Sequence, residues 1–132
     1  MAQLNHLVSR ARPVSVLMIH GTADENLPYN GGVGSNAHDR HDVKPVSYAV
    51  DSWRKSDRCM TTPVVTKSGE VTSSVWSGCA DSTLVELLTI DGGGHSWPGA
   101  PRLMRATNPP NDALDATRTA WNFFLLHPRL SK

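Results

Sequence analysis

The stretch Thr89-Ile90-Asp91-Gly92-Gly93-Gly94-His95-Ser96-Trp97-Pro98-Gly99 decides how the rest of the chain is read. An apolar run, Leu84 to Ile90, ends in three glycines, followed by one histidine and then Trp-Pro-Gly. Glycines have no side chain to pack and reach φ > 0 freely, so the chain can turn sharply off a strand end. The pattern predicts a buried-type strand that hands His95 to a loop at the mouth of a sheet. Loops held on a rigid scaffold are where catalysis concentrates. Histidine is also the side chain whose unperturbed pKa lies near working pH. His95 is therefore the first candidate catalytic residue.

A second short apolar run, Val14 to Ile19, is bounded by Pro13 and Gly21, and fits another strand buried on both faces. It leads into His20-Gly21-Thr22-Ala23-Asp24-Glu25-Asn26-Leu27-Pro28-Tyr29, a loop rich in turn formers. In an open parallel sheet, reacting groups collect at the carboxyl ends of the strands. Asp24 lies five residues beyond Ile19, and His95 five beyond Ile90. If the two strands are neighbours, both residues emerge on one edge. A carboxylate that accepts a histidine Nδ1–H fixes the tautomer and stabilises the imidazolium formed when the other nitrogen takes a proton. Asp24 is thus the candidate orienting acid for His95. Trp97 either walls an apolar pocket or packs the loop down, and the sequence leaves both open. Tyr29 is the second candidate substrate contact.

Between the two strands, Pro45 begins an expected helix through about Asp57, with Val46, Ala49, Val50 and Trp53 at helical spacing, and Trp53 is read as core. Cys59 and Cys79 enclose two short strands, Val64 to Lys67 and Val71 to Trp76, joined by a three-residue turn, Ser68-Gly69-Glu70. A last helix is expected from about Asp112 to Leu126. Its stripe of Ala113, Leu114, Thr117, Ala120, Trp121, Phe124 and Leu125 is read as a packing face. The order strand, helix, hairpin, strand, helix gives an α/β class, with the two apolar strands joined by a right-handed crossover. Asn30 to Val43 reads as a flexible polar excursion. Within it, His38-Asp39-Arg40-His41-Asp42 has metal-type side chains, but a glycine-rich loop with an arginine in its middle is a poor cage, and a solvated or substrate-rim loop is expected. Residues 1–12 are expected to be a poorly ordered leader, and residues 13–132 one domain.

At 132 residues and net charge +1, with scattered bases, the chain gives no reason to invoke nucleic acid. No apolar run approaches the roughly 18 residues that cross a membrane, and the polar N-terminus lacks a signal-peptide core. The two cysteines suggest a disulfide and an oxidising compartment, with two free buried thiols as the alternative.

At this point the residues carry a resemblance. His20-Gly21-Thr22-Ala23-Asp24 after an apolar strand, then Leu27-Pro28-Tyr29, looks like the acid loop of α/β-hydrolase esterases. Gly93-Gly94-His95-Ser96-Trp97-Pro98-Gly99 resembles the histidine loop of the branch that contains the polyhydroxybutyrate depolymerases and feruloyl esterases. The resemblance spans Pro13 to Pro128. It implies the C-terminal part of an α/β-hydrolase fold with an inserted β-hairpin, an ester substrate (polyester or aromatic/acyl ester), no cofactor and no metal. It also implies a Ser-Asp-His triad in which Asp24 and His95 hold the last two roles. The family's secreted character agrees with a Cys59–Cys79 bridge and implies a secreted or periplasmic location.

The nucleophile is the departure. The family carries it in a Gly-x-Ser-x-Gly elbow upstream of the acid, and no serine of this chain has glycine at both −2 and +2. Ser35, in Gly32-Val33-Gly34-Ser35-Asn36-Ala37, comes nearest, with alanine at +2 and a position after the acid. The chain alone is therefore expected to hydrolyse esters negligibly, and to self-associate through an exposed strand edge, Val14 to Ile19. The alternative from another class is a non-catalytic binding module that meets carbohydrate or polyester through Trp76 and Trp97. A thiol enzyme fails because neither cysteine sits on a strand-to-helix turn near His95.

Overall fold

The computed structural model describes residues 12–101 and 110–129. All but the last residue of the expected leader, and most of the irregular stretch expected from Arg102 to Asn111, lie outside them. The elements are β1 (Val16–Gly21), α1 (Val46–Ser56), β2 (Val64–Ser68), β3 (Val71–Trp76), a 3₁₀ turn (Ala80–Ser82), β4 (Val85–Ile90) and α2 (Ala116–Leu126). The strands form one mixed sheet in the order β1-β4-β3-β2, and with its two helices this is an α/β arrangement.

The apolar runs explain the order. β4 is central, with Val85, Leu87, Leu88 and Ile90 buried, as expected of a strand covered on both faces. β1 pairs with it in parallel, from Val16↔Val85 to Gly21↔Ile90, so the acid and histidine loops leave the sheet side by side. The hairpin is not a mere insertion: β3 pairs antiparallel with β4 and extends the sheet. The hairpin turn is also one residue shorter than expected. Ser68 pairs with Val71, and Gly69 takes φ +58 as the first of two central residues, the glycine-first pattern of a type II′ turn. β2 forms the outer edge, short, fully exposed and carrying Lys67, which blunts it against further pairing.

α1 packs Val46 and Val50 on Leu87, with Met18, Tyr29 and Trp76 around them. The bridge Cys59–Cys79 joins the segment after α1 to the turn after β3 and packs on Val85. Cys59 reaches that position because Arg58 takes φ +57, and the N–H groups of Arg58 and Cys59 close back on Lys55 and Arg54, a Schellman-type end. Both thiols are thus in the bridge and none is free among the described residues.

Two expectations about packing are corrected. Trp53 is 38% exposed, because the buried face of α1 is carried by Val46 and Val50 and Trp53 lies at its rim. α2 starts at Ala116, not Asp112. Asn111 Oδ1 first accepts the Ala113 N–H in a turn, and the Asp115 side chain then caps the helix by accepting the Arg118 N–H at 2.9 Å. The buried residues of α2 are Ala116 and Phe123. The expected packing stripe is instead largely open: Trp121, Phe124 and Leu125 are 67%, 57% and 62% exposed.

Candidate active site

Parallel pairing alone would leave two loops merely close, and a further set of contacts stitches them together. Beyond the strand ends, Thr22 N–H donates to Ile90 O at 2.9 Å and Ala23 N–H to Gly93 O at 2.9 Å. The Thr22 hydroxyl donates to Asp91 and accepts the Gly92 N–H at 2.8 Å. The glycines serve close approach more than turning. Of the three consecutive ones, only Gly92 has positive φ, +70. A Cβ on Gly21 would stand 2.0 Å from Gly93 O, so the backbones touch where any side chain would part them.

That seam fixes the pair expected from the sequence. His95 Nδ1 lies 2.9 Å from Asp24 Oδ2. A carboxylate only accepts, so Nδ1 carries the proton. Nε2 is then the basic nitrogen, and it makes no hydrogen bond among the described residues. Asp24 is buried at 9% exposure, and its other oxygen, Oδ1, accepts the N–H groups of Asn26 at 2.9 Å and Leu27 at 2.8 Å. Burial pushes the Asp24 carboxyl up, but the Leu27 N–H, His95 and the Asn26 N–H together outweigh it and hold the group below its ordinary value. Asp24 is therefore an ionised acceptor at neutral pH.

His95 is exposed and opens on a cleft of about 460 Å³ that also has His20, Gly94, Trp97 and Pro98 in its walls. Trp97 does both things the sequence left open. It lines the cleft at 56% exposure, and its indole N–H donates to Thr117 Oγ1 at 3.0 Å, tying the loop to α2. The loop is anchored again by Ala116 N–H to Pro98 O and Gly99 N–H to Asn111 O. Tyr29 does not line this cleft. Its ring packs with the Val46–Val50–Leu87 core and its hydroxyl bonds Thr89 at 2.9 Å, so it supports the site from beneath.

The remaining candidates sit elsewhere. Ser35 borders a separate depression that His95 does not line, and among the described serines only Ser96, the neighbour of His95 in sequence, lines the histidine cleft. His38 to Asp42 are exposed, and no group of three or more His, Cys, Asp or Glu side chains among the described residues is arranged to hold a metal ion. The segment around them is less free than expected, since Gly32 and Val43 form a two-way backbone bridge and Asn36 bonds back to Glu25. Trp76 is half-buried and packs against both core clusters. A cavity of about 500 Å³ lies at the other end of β1, beside Val14, Ser15 and Thr83, away from the carboxyl ends where the pair sits.

Sequence reasoning missed His20. Its ring lines the cleft, and its Nε2 lies 2.9 Å from Leu27 O and 3.4 Å from Asp24 Oδ2. The available signal was its place next to the end of β1, four residues before the acid.

In comparisons with known proteins, no family model and no curated protein matches this sequence. No helix among the described residues is long and apolar enough to cross a membrane.

Proposed function

We propose that this chain carries the acid–base half of a serine-type carboxylic ester hydrolase of the polyhydroxybutyrate depolymerase and feruloyl esterase kind, in an α/β-hydrolase fold that works outside the cytoplasm. The observation that supports it is the Asp24–His95 hydrogen bond of 2.9 Å at the carboxyl ends of two parallel neighbours, with the basic Nε2 beside a cleft and without a hydrogen bond among the described residues. The Cys59–Cys79 bridge supports the location.

In this reading the nucleophilic serine comes from sequence outside these 132 residues. Nε2 of His95 takes the serine proton as its Oγ bonds the acyl carbon, and Asp24 stabilises the imidazolium. The same proton then passes to the departing alkoxide as the ester C–O bond breaks. Water, deprotonated by Nε2, next cleaves the acyl-serine and restores both groups. The side of β1 that pairs with no strand among the described residues, and the open stripe of Trp121, Phe124 and Leu125, support association of this chain with a further layer of structure.

The test is nitrophenyl acetate hydrolysis. The 132-residue chain alone is expected to turn over no faster than free imidazole and without a burst. Esterase activity purified from the source through this sequence is expected to fall by at least ~10³-fold on His95→Ala. Turnover with a burst from the chain alone, or source activity indifferent to His95→Ala, would contradict the proposal.

A further inference from the structure

The acid loop has little apolar burial to hold it. Leu27 is 46% exposed and Glu25 is exposed, so the position of Asp24 depends on polar contacts. Two of those contacts meet at one residue, Leu27. The Leu27 N–H donates to Asp24 Oδ1 at 2.8 Å, and the Leu27 carbonyl accepts from His20 Nε2 at 2.9 Å. A carbonyl oxygen cannot donate, so the proton of this bond belongs to His20, which is therefore protonated on Nε2. The same nitrogen lies 3.4 Å from Asp24 Oδ2, the oxygen that also holds His95. Two imidazoles thus meet one carboxylate oxygen, one closely and one at longer range.

The His20 ring is itself fixed. It packs in a T-shaped arrangement with Tyr29, with ring centroids 5.7 Å apart at 81°, and the Tyr29 hydroxyl is bonded to Thr89. Thr89 is the β4 residue paired with His20 across the sheet. The chain of contacts therefore closes on itself: β4 holds Tyr29, Tyr29 sets the His20 ring, His20 grips the Leu27 carbonyl, and Leu27 and Asn26 hold Asp24.

We propose that His20 is a positioning residue for the Asp24–His95 pair. By gripping the Leu27 carbonyl, and by approaching Asp24 Oδ2 at 3.4 Å, it holds the acid loop so that this oxygen meets His95 Nδ1. His20 acts through Asp24 and needs no contact with substrate. Its significance for catalysis rests on the esterase reading, whereas its effect on the geometry of the pair does not.

The test uses ¹⁵N NMR of the histidine side chains of the 132-residue chain together with amide exchange at Asn26 and Leu27. His20→Gln puts an amide N–H near the position of Nε2. His20→Asn puts one nearer Nδ1, short of the Leu27 carbonyl. His20→Phe keeps an aromatic ring against Tyr29 and removes the donor. Wild type and His20→Gln are expected to show His95 protonated on Nδ1. His20→Asn and His20→Phe are expected to show His95 shifting toward the other tautomer, with exchange protection of the two amides lower by about tenfold. A merely structural role would not separate Gln from Asn, so that comparison decides the matter even if the Phe variant does not fold. Gln and Asn variants that behave alike would overturn the inference. Wild type lacking the Nδ1–H tautomer of His95 would instead overturn the catalytic reading of the pair.

Discussion

Gly21→Ala probes the seam on which the candidate site depends. A Cβ at this position would lie 2.0 Å from the Gly93 oxygen, 2.3 Å from its carbonyl carbon and 2.8 Å from its Cα, all backbone atoms. Neither side can give way by a rotamer change, so the acid and histidine loops must part by more than an ångström. That breaks the Ala23-to-Gly93 and Thr22-to-Ile90 hydrogen bonds. At about 1 kcal/mol for each bond and about 1–3 kcal/mol for the overpacking, the expected cost is roughly 3–5 kcal/mol. Domain stabilities are typically about 5–15 kcal/mol, so much of the total is at stake. Gly92→Ala is the control: it faces open space at φ +70, so only left-handed backbone strain of about 1–2 kcal/mol applies. Urea midpoints at pH 7, read by far-ultraviolet circular dichroism, give the two costs. The ¹⁵N spectrum of His95 reports whether the pair survives in whatever remains folded. A Gly21→Ala protein within about 1 kcal/mol of wild type, or one no worse than Gly92→Ala, would refute the close-approach argument.

Reducing the Cys59–Cys79 bridge frees a loop of sequence separation 20 and is expected to cost about 3 kcal/mol, read as a lower urea midpoint in dithiothreitol; an unchanged midpoint would count against the bridge as a staple. Asp57 is 2% exposed, and burial raises its carboxyl above the ordinary value despite the Val14 N–H at 3.5 Å. Its folded-state pKa is the higher one, so this group lowers stability as pH rises through that value and favours folding below its unfolded value. Asp57→Asn should therefore match or exceed wild-type stability at pH 7 and lose the advantage toward pH 4, which parallel urea titrations would check. Asp24 has the opposite sign: its folded pKa is lowered, so its contribution is present at neutral pH and fades as pH falls through that lowered value. Asp24→Ala strands the Asn26 and Leu27 N–H groups and should cost about 2–4 kcal/mol. Asp24→Asn can still accept them and should cost less, while driving His95 to the other tautomer, as ¹⁵N spectroscopy would reveal.

Much of the frame was legible because it rests on runs of like residues. The apolar runs ending in Ile19 and Ile90 marked two strands, of which only β4 is buried while Val16 to Ile19 of β1 are partly exposed at the sheet's edge, and equal offsets to Asp24 and His95 put both on one side of the sheet. What was not legible depends on which face finds a partner. The spacing of Trp53 and of Trp121, Phe124 and Leu125 is helical, but periodicity cannot say whether the stripe meets anything, and here these residues are exposed. The start of α2 was misjudged because Asp112 and Asp115 are equally good caps in sequence, and the choice falls to the turn closed by Asn111. The run of glycines suggested sharp turning, whereas the tightest demand is at Gly21, a lone glycine on the neighbouring strand. His20 was hidden for a similar reason: its partner is a backbone carbonyl, which leaves no trace in residue types.

The measurement closest to the central claim is intact mass, together with site mapping, of the species in the native source that contains this sequence and reacts with a serine-directed fluorophosphonate. The proposal predicts a labelled species whose modified serine lies outside these 132 residues, covalently joined to them or copurifying with them, and whose labelling drops on His95→Ala. A native species with the mass of this chain alone, unlabelled and without a labelled partner, would contradict it, as would a label mapped to one of the chain's own serines.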